Sequence, residues 1–329
     1  MREDDETTGR GGTPDGGIPD GARNDDIVAD RAAKVILVTG ATGRQGGAAA
    51  ARLLAAGWPV RALTRDPTSA AARRLAEAGA QVIVGDLDDR GSLDAAAEGA
   101  HGVFSVQQGA LGTPPVPFED EVGRGRNVAD AAAAARVPHL VYASVAGVER
   151  GGGGRAFASK RAIEEHIRRI DIPATILRPA SFMENYADPA FGVQTGTLAT
   201  PFAPDIPEQL IALDDIGAFV ALAFTDPVRY LGRAVAIAGD ALRPGRTAEA
   251  LSRATGREIR YVHVPVDAVR TQSADGADVA GFLNGHGGYG VDIAAARALH
   301  PGLMNFETWL SGQGRDKLAK LFAGGNRPG

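Results

Sequence analysis

Hydrophobic residues along the chain form short β-branched runs that alternate with alanine-rich segments of helical periodicity. The runs are the segments 34–39, 59–65, 80–85, 102–106, 139–144 and 173–179. Strands that are separated by helices pair in parallel through right-handed crossovers, with helices on both faces of the sheet. The pattern therefore predicts an α/β fold built on a Rossmann-type doubly wound parallel sheet.

The alternation ends after Pro179, where a loop-rich segment leads to an apolar helix with Asp214 or Asp215 as the predicted N-cap. Further strands are predicted at 233–239 and 258–265, and further helices at 247–256 and 305–322. We predict a Rossmann domain over residues 33–180. A smaller α+β substrate lobe, residues 181–329, is predicted to pack on the carboxyl edge of its sheet.

The N-terminal segment differs in composition from the rest of the chain. Its first thirty residues hold nine acidic residues against three arginines, so with −5 overall the remainder carries about +1. The segment also lacks large apolar residues, and we predict a disordered acidic tail over residues 1–32, with a charged interaction arm as the alternative. A nearly neutral body gives no electrostatic argument for a nucleic-acid partner.

Residue counts exclude several kinds of site. The chain has no cysteine, which excludes disulfides and thiolate metal ligands, and its six histidines never stand at His-x-x-x-His spacing. No metal is therefore expected. The apolar runs are far shorter than the roughly 20 residues that span a bilayer. The N-terminus also lacks the apolar core of a secretory signal, so we expect a cytoplasmic protein with no membrane partner.

The segment VILVTGATGRQGGAAAARLL (35–54) carries the strongest chemical signal. A strand leads into three glycines, Gly40, Gly43 and Gly46, and then directly into a helix. The first glycine allows a tight turn, the second lets the backbone approach a pyrophosphate, and the third lets the helix pack on the strand. The helix N-terminus then attracts the anion. Contacts with the dinucleotide are predicted for the glycines and for three residues between them, Thr42, Arg44 and Gln45.

The end of the second strand, ALTRDP (62–67), bears on the choice of dinucleotide. An arginine there suits a 2′-phosphate and an acid suits a free ribose hydroxyl. Arg65, helped by Arg44, predicts NADP(H). The alternatives make Asp66 the ribose ligand of NAD, or make Arg65 a solvated loop residue and Asp66 a helix N-cap before Pro67.

Two further strand ends supply predicted contacts with the cofactor. Asp86 and Leu87 follow the third strand and are predicted to contact the adenine, with a turn carboxylate as the alternative for Asp86. Gln107 follows the fourth strand and is predicted to lie beside the nicotinamide half.

The Gly-x-x-Gly-x-x-Gly spacing and the sequence TGATGRQGG resemble the NmrA-like branch of the short-chain dehydrogenase/reductase superfamily. In the superfamily pattern a serine ends the fifth strand and a Tyr-x-x-x-Lys follows it; here Ser144 and Lys160 match, but Ala156 replaces the tyrosine. The resemblance implies that Ser144 and Lys160 bind the cofactor and that Lys160 holds the nicotinamide ribose as the one catalytic residue. Viewed locally, Lys160 is a solvated surface charge.

The resemblance extends to the C-terminal part, through IPATILRPASFMENY (172–186) and GHGGYGVDIAAARALHPGLMNFETWL (285–310). It implies that Phe182, Asn185 and Tyr186 face the nicotinamide and the substrate; core packing is the alternative for Phe182 and Tyr186. His286 is expected to be a solvated loop residue, and Tyr142 a core residue.

The missing tyrosine restricts the chemistry. Reduction of a simple ketone gives an alkoxide that needs a positioned acid, which Ala156 cannot be. Reduction of a quinone or an activated C=C bond gives a delocalised, phenolate-like anion, whose conjugate acid has a pKa of about 10 and which can take a proton from water. The prediction is an NADPH-dependent reductase of an electron-poor small molecule. The alternative is a non-catalytic NADP(H) sensor that acts through a protein partner.

Overall fold

The computed structural model describes residues 33–324, so the predicted acidic tail lies outside the described residues. The strands are β1 Ile36–Val38, β2 Val60–Thr64, β3 Gln81–Val84, β4 Gly102–Ser105, β5 His139–Ala143, β6 Ala174–Pro179, β7 Ser181–Phe182, β8 Thr197–Thr200, β9 Glu208–Ile211, β10 Ala234–Ile237, β11 Asp240–Leu242 and β12 Arg260–His263.

The helices are α1 Arg44–Ala55, α2 Ala70–Glu77, α3 Arg90–Ala97, α4 Phe118–Ala134, α5 Gly154–Arg169, α6 Leu213–Thr225, α7 Pro227–Tyr230, α8 Pro244–Thr255, α9 Val266–Arg270, α10 Ala274–Gly285, α11 Ile293–Leu299, α12 Phe306–Ser311 and α13 Gln313–Gly324. Short 3-10 turns lie at Val148–Arg150, Met183–Ala187, Pro189–Phe191 and Val193–Thr195.

Seven strands form the central sheet, in the order β10-β6-β5-β4-β1-β2-β3, and every neighbouring pair is parallel. Successive side chains of β1 point to opposite faces: Ile36 and Val38 pack with α1 and α6, whereas Leu37 packs with α3, α4 and α5. The sheet is therefore covered on both faces, which confirms the predicted α/β fold of Rossmann type.

The second lobe contains two small sheets, β11-β9-β7 and β12-β8. Its core gathers around Trp309, a fully buried side chain whose indole N–H donates to Glu184 at 3.1 Å. The other oxygen of Glu184 accepts the backbone N–H of Leu213, at the start of α6, at 3.1 Å. One buried carboxylate therefore ties the second lobe to a helix that covers the central sheet.

The structure differs from the predicted linear boundary at residue 180. Helix α6 packs on α1, and β10 is the seventh strand of the central sheet beside β6, so residues 213–237 return to the first domain. An ion pair between Arg52 and Asp214 joins the two helices. The second lobe is formed by the segments on either side of this return, and its opening strand, β7, follows directly from β6.

Several element ends also differ from the predictions. Ala212, and neither Asp214 nor Asp215, is the N-cap of α6. The helix predicted over 305–322 is two helices, α12 and α13, because the chain bends at Gly312. Helix α5 begins at Gly154 and so places Lys160 in its second turn. Across residues 33–324, no helix combines the length and the apolar character needed to cross a membrane.

Candidate dinucleotide site

The glycine turn after β1 is built by close backbone contacts. Gly40 has a φ of +59°, a conformation that favours glycine, and its carbonyl accepts the N–H of Gly43 at 2.9 Å. A Cβ on Gly46 would lie 2.1 Å from that same carbonyl oxygen, so only glycine lets α1 pack this closely on the turn. Gly43 stands at the N-cap and has no side chain to cap the helix. The first N–H groups of α1 remain available for an anion.

The end of β2 presents an arginine beside an acid that is already engaged. Arg65 and Asp66 are both exposed. The carboxylate of Asp66 accepts the backbone N–H and the hydroxyl of Thr68, at 2.8 and 2.6 Å, and these hydrogen bonds lower the pKa of Asp66. The N-cap of α2 is Ser69, so the interpretation of Asp66 as that cap is wrong. Asp66 closes a local turn, and Arg65 is the side chain left for a ligand.

Arg44 lies on the side of the turn that faces the second lobe. Its guanidinium is 5.6 Å from the ring centroid of Phe182. Together with the exposed Lys317 and Lys320 of α13, Arg44 lines a cavity of about 690 Å³ between α1 and the second lobe. In this structure Arg44 and Phe182, which were predicted for opposite halves of the cofactor, form one contact.

The predicted adenine residues lie in a hydrogen-bonded turn. The carboxylate of Asp86 accepts the N–H of Asp88 at 3.1 Å, as the turn alternative expects. The carbonyl of Leu87 accepts the side-chain amide of Asn127 at 2.9 Å. Both side chains are half-buried. Their contact with adenine stays a prediction.

Gln107 is buried at the carboxyl end of β4, and half of its amide group is satisfied. Its NH₂ donates to the hydroxyl of Ser105 at 2.8 Å, whereas its Oε1 is buried and has no hydrogen-bond partner within residues 33–324. The Oε1 of Gln45, in the glycine turn, is in the same condition. A buried acceptor without a donor is costly. The amide and hydroxyl groups of a nicotinamide nucleotide are donors of the kind these two oxygens lack.

The hydroxyl of Ser144, just past β5, is used within the protein. It donates to Oε1 of Glu164 at 2.6 Å. Burial acts to raise the pKa of Glu164, but hydrogen bonds from Arg178 and Ser144 outweigh it, and the net pKa is lowered. Ser144 is therefore bound to a carboxylate, and a contact with the cofactor would use its remaining acceptor capacity.

Lys160 lies against a fully buried acid. Its Nζ is 2.8 Å from Oε1 of Glu121, its side chain is 15% exposed, and it lies 6.0 Å from the ring centroid of Tyr142. The hydroxyl of Ser159 donates to the other oxygen of Glu121 at 2.7 Å. The interpretation of Lys160 as a solvated surface charge is therefore wrong. Tyr142 is fully buried, as predicted.

Glu121 is the residue of this site that the sequence analysis missed. It stands in the first turn of α4, where Glu119 and Asp120 make it look like part of an ordinary acidic helix start. The helical spacing of Glu121, Gly125 and Val128 could have indicated that Glu121 is buried, because these residues share one face of α4. A Cβ on Gly109 would lie 2.5 Å from the Glu121 carboxylate, so the loop after β4 packs directly on this acid.

Ala156, at the position of the superfamily tyrosine, is 8% exposed and belongs to an apolar cluster. Phe157 and Tyr289 are in the same cluster, and Phe157 contacts Phe282 of α10 edge to face. Helix α10 thus packs on the start of α5 from the second lobe. Apolar side chains from the C-terminal part, Phe282 and Tyr289 among them, therefore belong to the cluster around residue 156.

The predicted substrate residues do not share one environment. Phe182 and Asn185 are half-buried, and Phe182 is held in β7 by pairing with β9. Tyr186 is buried in the core of the second lobe and donates to Oε2 of Glu208 at 2.9 Å. Core packing is therefore the correct interpretation of Tyr186, and its prediction as a residue facing the pocket disagrees with the structure. His286 is exposed and its ring lies 4.3 Å from that of Phe282.

The parallel sheet and the glycine turn at the end of β1 are the features of a Rossmann-type nucleotide-binding fold. We assign this protein to that class of folds. The sequence profile of the NmrA-like family matches residues 32–310, and the chain belongs to that family. This confirms the resemblance that the glycine motif indicated.

Two curated relatives are reductases. A (4-alkanoyl-5-oxo-2,5-dihydrofuran-3-yl)methyl phosphate reductase from Streptomyces griseus subsp. griseus is 36% identical over 239 residues, which cover 72% of this chain and 79% of the relative. An NAD(P)H azoreductase from Xenophilus azovorans is 30% identical over 238 residues, again 72% of this chain and 79% of the relative.

A solved relative is described as a regulator. The structure of NmrA, a negative transcriptional regulator, in complex with NAD has a TM-score of 0.71 and 25% identity, and the match covers 89% of this chain and 98% of that one. A structure of NmrA with NADP matches with a TM-score of 0.70 and 23% identity over the same shares.

Proposed function

We propose that this protein is an NADPH-dependent reductase of an electron-poor small molecule, such as a quinone or an activated C=C bond. The observation that carries the proposal is Lys160 held 2.8 Å from a fully buried Glu121, with Ala156 in place of a proton-donating tyrosine. Lys160 is the cation that would bind a nicotinamide ribose. Ala156 cannot donate the proton that ketone reduction needs.

The residues of the glycine turn suit the group that the proposal requires. Gly40 and Gly46 shape a turn that no Cβ could occupy, and the uncapped start of α1 would receive the pyrophosphate. Arg65 would pair with a 2′-phosphate, since its neighbour Asp66 is engaged with Thr68. Gln107 offers a buried acceptor oxygen to the nicotinamide end. When bound, NADPH supplies a hydride.

The side chains around Lys160 would bind and orient the cofactor. They would not donate or accept the proton of the reaction. Glu121 contacts Lys160 directly, and Ser159 in turn donates a hydrogen bond to Glu121, so the acid that holds Lys160 is itself held in place. A fixed cation holds the reacting ring in one orientation, and such positioning is a large part of the barrier reduction in reactions between bound partners. The substrate class follows from the absence of a proton donor at residue 156. The product anion has to be stable enough to wait for its proton.

The reductase relatives support this class of substrate. The dihydrofuranone in the name of the Streptomyces griseus reductase contains a ring C=C bond conjugated with two carbonyl groups. An azo group, in the name of the Xenophilus azovorans enzyme, is also an electron-poor double bond. For the dihydrofuranone, the anion that follows hydride addition is delocalised over the two carbonyl groups.

A second candidate function is an NADP(H) sensor that acts through a protein partner. It is favoured by the likeness to NmrA, whose structure with NAD carries the description of a negative transcriptional regulator. The sensor requires cofactor binding and a partner, but no turnover.

One experiment separates the two functions. The purified protein is incubated with NADPH and a panel of quinones, enones and simple ketones, and NADPH oxidation is followed, while calorimetry measures NADPH affinity separately. Turnover of quinones or enones with little reduction of ketones is the result expected of the reductase. NADPH binding with no turnover on any acceptor would favour the sensor, and efficient ketone reduction would contradict the argument from Ala156.

A further inference from the structure

The cavity between α1 and the second lobe has a volume of about 690 Å³. Small-molecule sites usually occupy roughly 300–1,000 Å³. Its walls come from α1, from the start of α6, from the 3-10 turns that follow β7 and from α13. The charged residues that line it are Arg44, Glu184, Asp188, Asp214, Lys317 and Lys320. The cavity is therefore large enough for a small organic molecule, and its walls are highly charged.

This cavity lies beside the glycine turn and is distinct from it. Among the described residues of the turn, only Arg44, the first residue of α1, lines the cavity. The Arg44 guanidinium lies 5.6 Å from the ring centroid of Phe182 in β7, and α13 packs on the 3-10 turn that follows β7. Because β7 follows directly from β6, the cavity is on the carboxyl side of the sheet, where ligands of this fold bind.

The three acids of the cavity are engaged within the protein. Both oxygens of Glu184 accept the hydrogen bonds, described above, that tie the second lobe to α6. Both oxygens of Asp214 are paired with Arg52. Asp188 caps a 3-10 turn, and one of its oxygens accepts the N–H of Ala190 at 2.9 Å. Of these carboxylates, only Asp188 keeps an oxygen that no described residue engages.

The three cations of the cavity are in the opposite condition. In the described part of the chain, Arg44, Lys317 and Lys320 make no ion pair and no side-chain hydrogen bond. The two lysines stand three residues apart and are therefore neighbours on the surface of α13. Asp316, four residues before Lys320, contacts Arg315 instead. The polar groups that remain available to a ligand in this cavity are thus mainly positively charged donors.

From this contrast we infer that the cavity binds the phosphate monoester group of a small organic molecule, held by Arg44, Lys317 and Lys320. Such a group carries about −1.5 to −2 charges near neutral pH and has three strong acceptor oxygens. The planar guanidinium of Arg44 can bind two of these oxygens at once, and each lysine adds a compact positive charge. A carboxylate carries a single charge and would leave more of the positive charge unpaired.

The remaining lining suits the organic part of this ligand. Between the charged groups the walls are apolar, formed by Ala48, Ala187, Pro189 and Leu213. The phosphate belongs either to the hydride acceptor or to a separate ligand. Binding itself does not depend on the proposed function, but the role of the phosphate as part of the acceptor rests on it.

Calorimetry with benzyl phosphate tests the site, with benzyl alcohol as the uncharged control compound. The full-length protein is saturated with NADP⁺, which fills the dinucleotide site and permits no turnover. We expect benzyl phosphate to bind, and more weakly as NaCl is added, because exposed charges are screened. Lys317→Ala and Lys320→Ala should each weaken it by at least about threefold, the scale of exposed ion pairs. Arg315→Ala removes an exposed charge from the same helix outside the cavity and should leave binding unchanged.

Three results would overturn the inference. The first is no binding of benzyl phosphate to the wild type. The second is an equal loss in the lysine variants and in Arg315→Ala. The third is a loss of NADP⁺ affinity in the lysine variants, which would place the lysines in the dinucleotide site. Melting temperatures, measured for every variant, identify any that fail to fold, and the weaker salt dependence expected of the double variant gives a second readout.

A pair of quinones distinguishes the two sources of the phosphate. 2-(3-Hydroxypropyl)-3-methyl-1,4-naphthoquinone and its phosphate monoester have the same ring and differ only at the end of the chain. If the phosphate belongs to the acceptor, kcat/KM should be higher for the ester, and Lys317→Ala should remove most of that advantage. If it belongs to a separate ligand, the two quinones should react equally while benzyl phosphate still binds. Lysine-dependent binding without turnover on any acceptor supports this inference and contradicts the proposed reductase alone.

Discussion

Nζ of Lys160 lies 2.8 Å from Oε1 of Glu121, and the Glu121 side chain is fully buried. The two residues come from different helices, α5 and α4, so the contact fixes the lysine relative to the central sheet and not only to its own helix. A buried acid with one cationic partner is strongly dependent on that partner, because removing either one leaves the other with an uncompensated charge.

Replacement of Lys160 by alanine should weaken NADPH binding by about 1–2 kcal/mol, the scale of a hydrogen bond to a charged group. Calorimetry at one pH and ionic strength measures the change. Arg246→Ala is the control, since Arg246 is exposed on α8, does not line the cavity around Arg44, and should leave the affinity unchanged. Equal affinities of wild type and Lys160→Ala would contradict the assigned role.

Replacement of Glu121 by glutamine should act through Lys160. The amide keeps the size of the acid and its contact with Ser159 but removes the negative charge that holds the ammonium. A partly buried lysine that has lost its counter-ion is no longer held in one position. We therefore expect Glu121→Gln to weaken NADPH binding, by no more than the loss in Lys160→Ala. In Lys160→Ala, the added Glu121→Gln should produce no further loss, and a further loss there would show that Glu121 acts on another group.

Arg65 should decide the preference for NADPH over NADH. A charge-assisted pair with the 2′-phosphate contributes about 1.5–3 kcal/mol, so the wild type should bind NADPH at least tenfold more tightly. Arg65→Ala should remove most of that difference and leave NADH affinity nearly unchanged. Arg73→Ala, an exposed change on the neighbouring helix α2, serves as the control. Similar affinities for the two nucleotides in the wild type would favour the alternative in which the cofactor is NAD.

The parts predicted well from sequence are those fixed by local chemistry. Strand and helix alternation gave the sheet, and the spacing of Gly40, Gly43 and Gly46 reflects contacts within seven consecutive residues. The bend at Gly312 was missed because the apolar periodicity continues on both sides of it. The strand predicted at 233–239 is present as β10, but its place in the central sheet was missed. β10 joins that sheet through pairing with β6, and no local pattern records which sheet an edge strand joins.

Residues of the candidate site were predicted only where they belong to a recognisable sequence motif. Glu121 contacts Lys160 across 39 positions, so this pair does not follow from local sequence. Tyr186 shows the converse error. A motif placed it at the pocket, but its hydroxyl has a buried acceptor in Glu208 and the side chain turns inward. Buried polar pairs of this kind depend on the tertiary fold, which the periodicity of a single segment does not report.

A methyl group on Gly46 should be much less tolerated than one on another helical glycine. In Gly46→Ala the Cβ would lie 2.1 Å from the Gly40 carbonyl oxygen, so α1 must shift away from the turn. We expect a loss of about 1–3 kcal/mol in stability together with a large loss of NADPH affinity. Gly123→Ala in α4 is the matched control, because its Cβ meets nothing within 4 Å. That change should leave the protein equally stable or more stable by roughly 0.5–1 kcal/mol.

His139 should make the fold sensitive to acid. Burial, followed by the charge of His101, lowers the pKa of His139 to about 4, and its ring is hydrogen-bonded to the Thr175 hydroxyl at 2.8 Å. The unfolded chain, with a histidine pKa of about 6.5, binds more protons than the folded protein between these values. The contribution of His139 is therefore fully present above about pH 6.5 and is lost as pH falls toward 4, by up to about 3 kcal/mol.

Chemical unfolding of the wild type and His139→Asn at a series of pH values measures this effect as the difference between the two stability curves. Glu208 acts in the opposite direction in an overlapping range. Burial raises its pKa to about 7 in the folded protein, so its contribution is present at low pH and is lost as pH rises through that value. The difference curve removes the Glu208 contribution, which both proteins share. We expect the gap between wild type and variant to shrink steadily from pH 6.5 to pH 4. His263→Asn, an exposed change on β12, should give a curve parallel to the wild type, and a constant gap in His139→Asn would show that the His139 ring does not resist protonation.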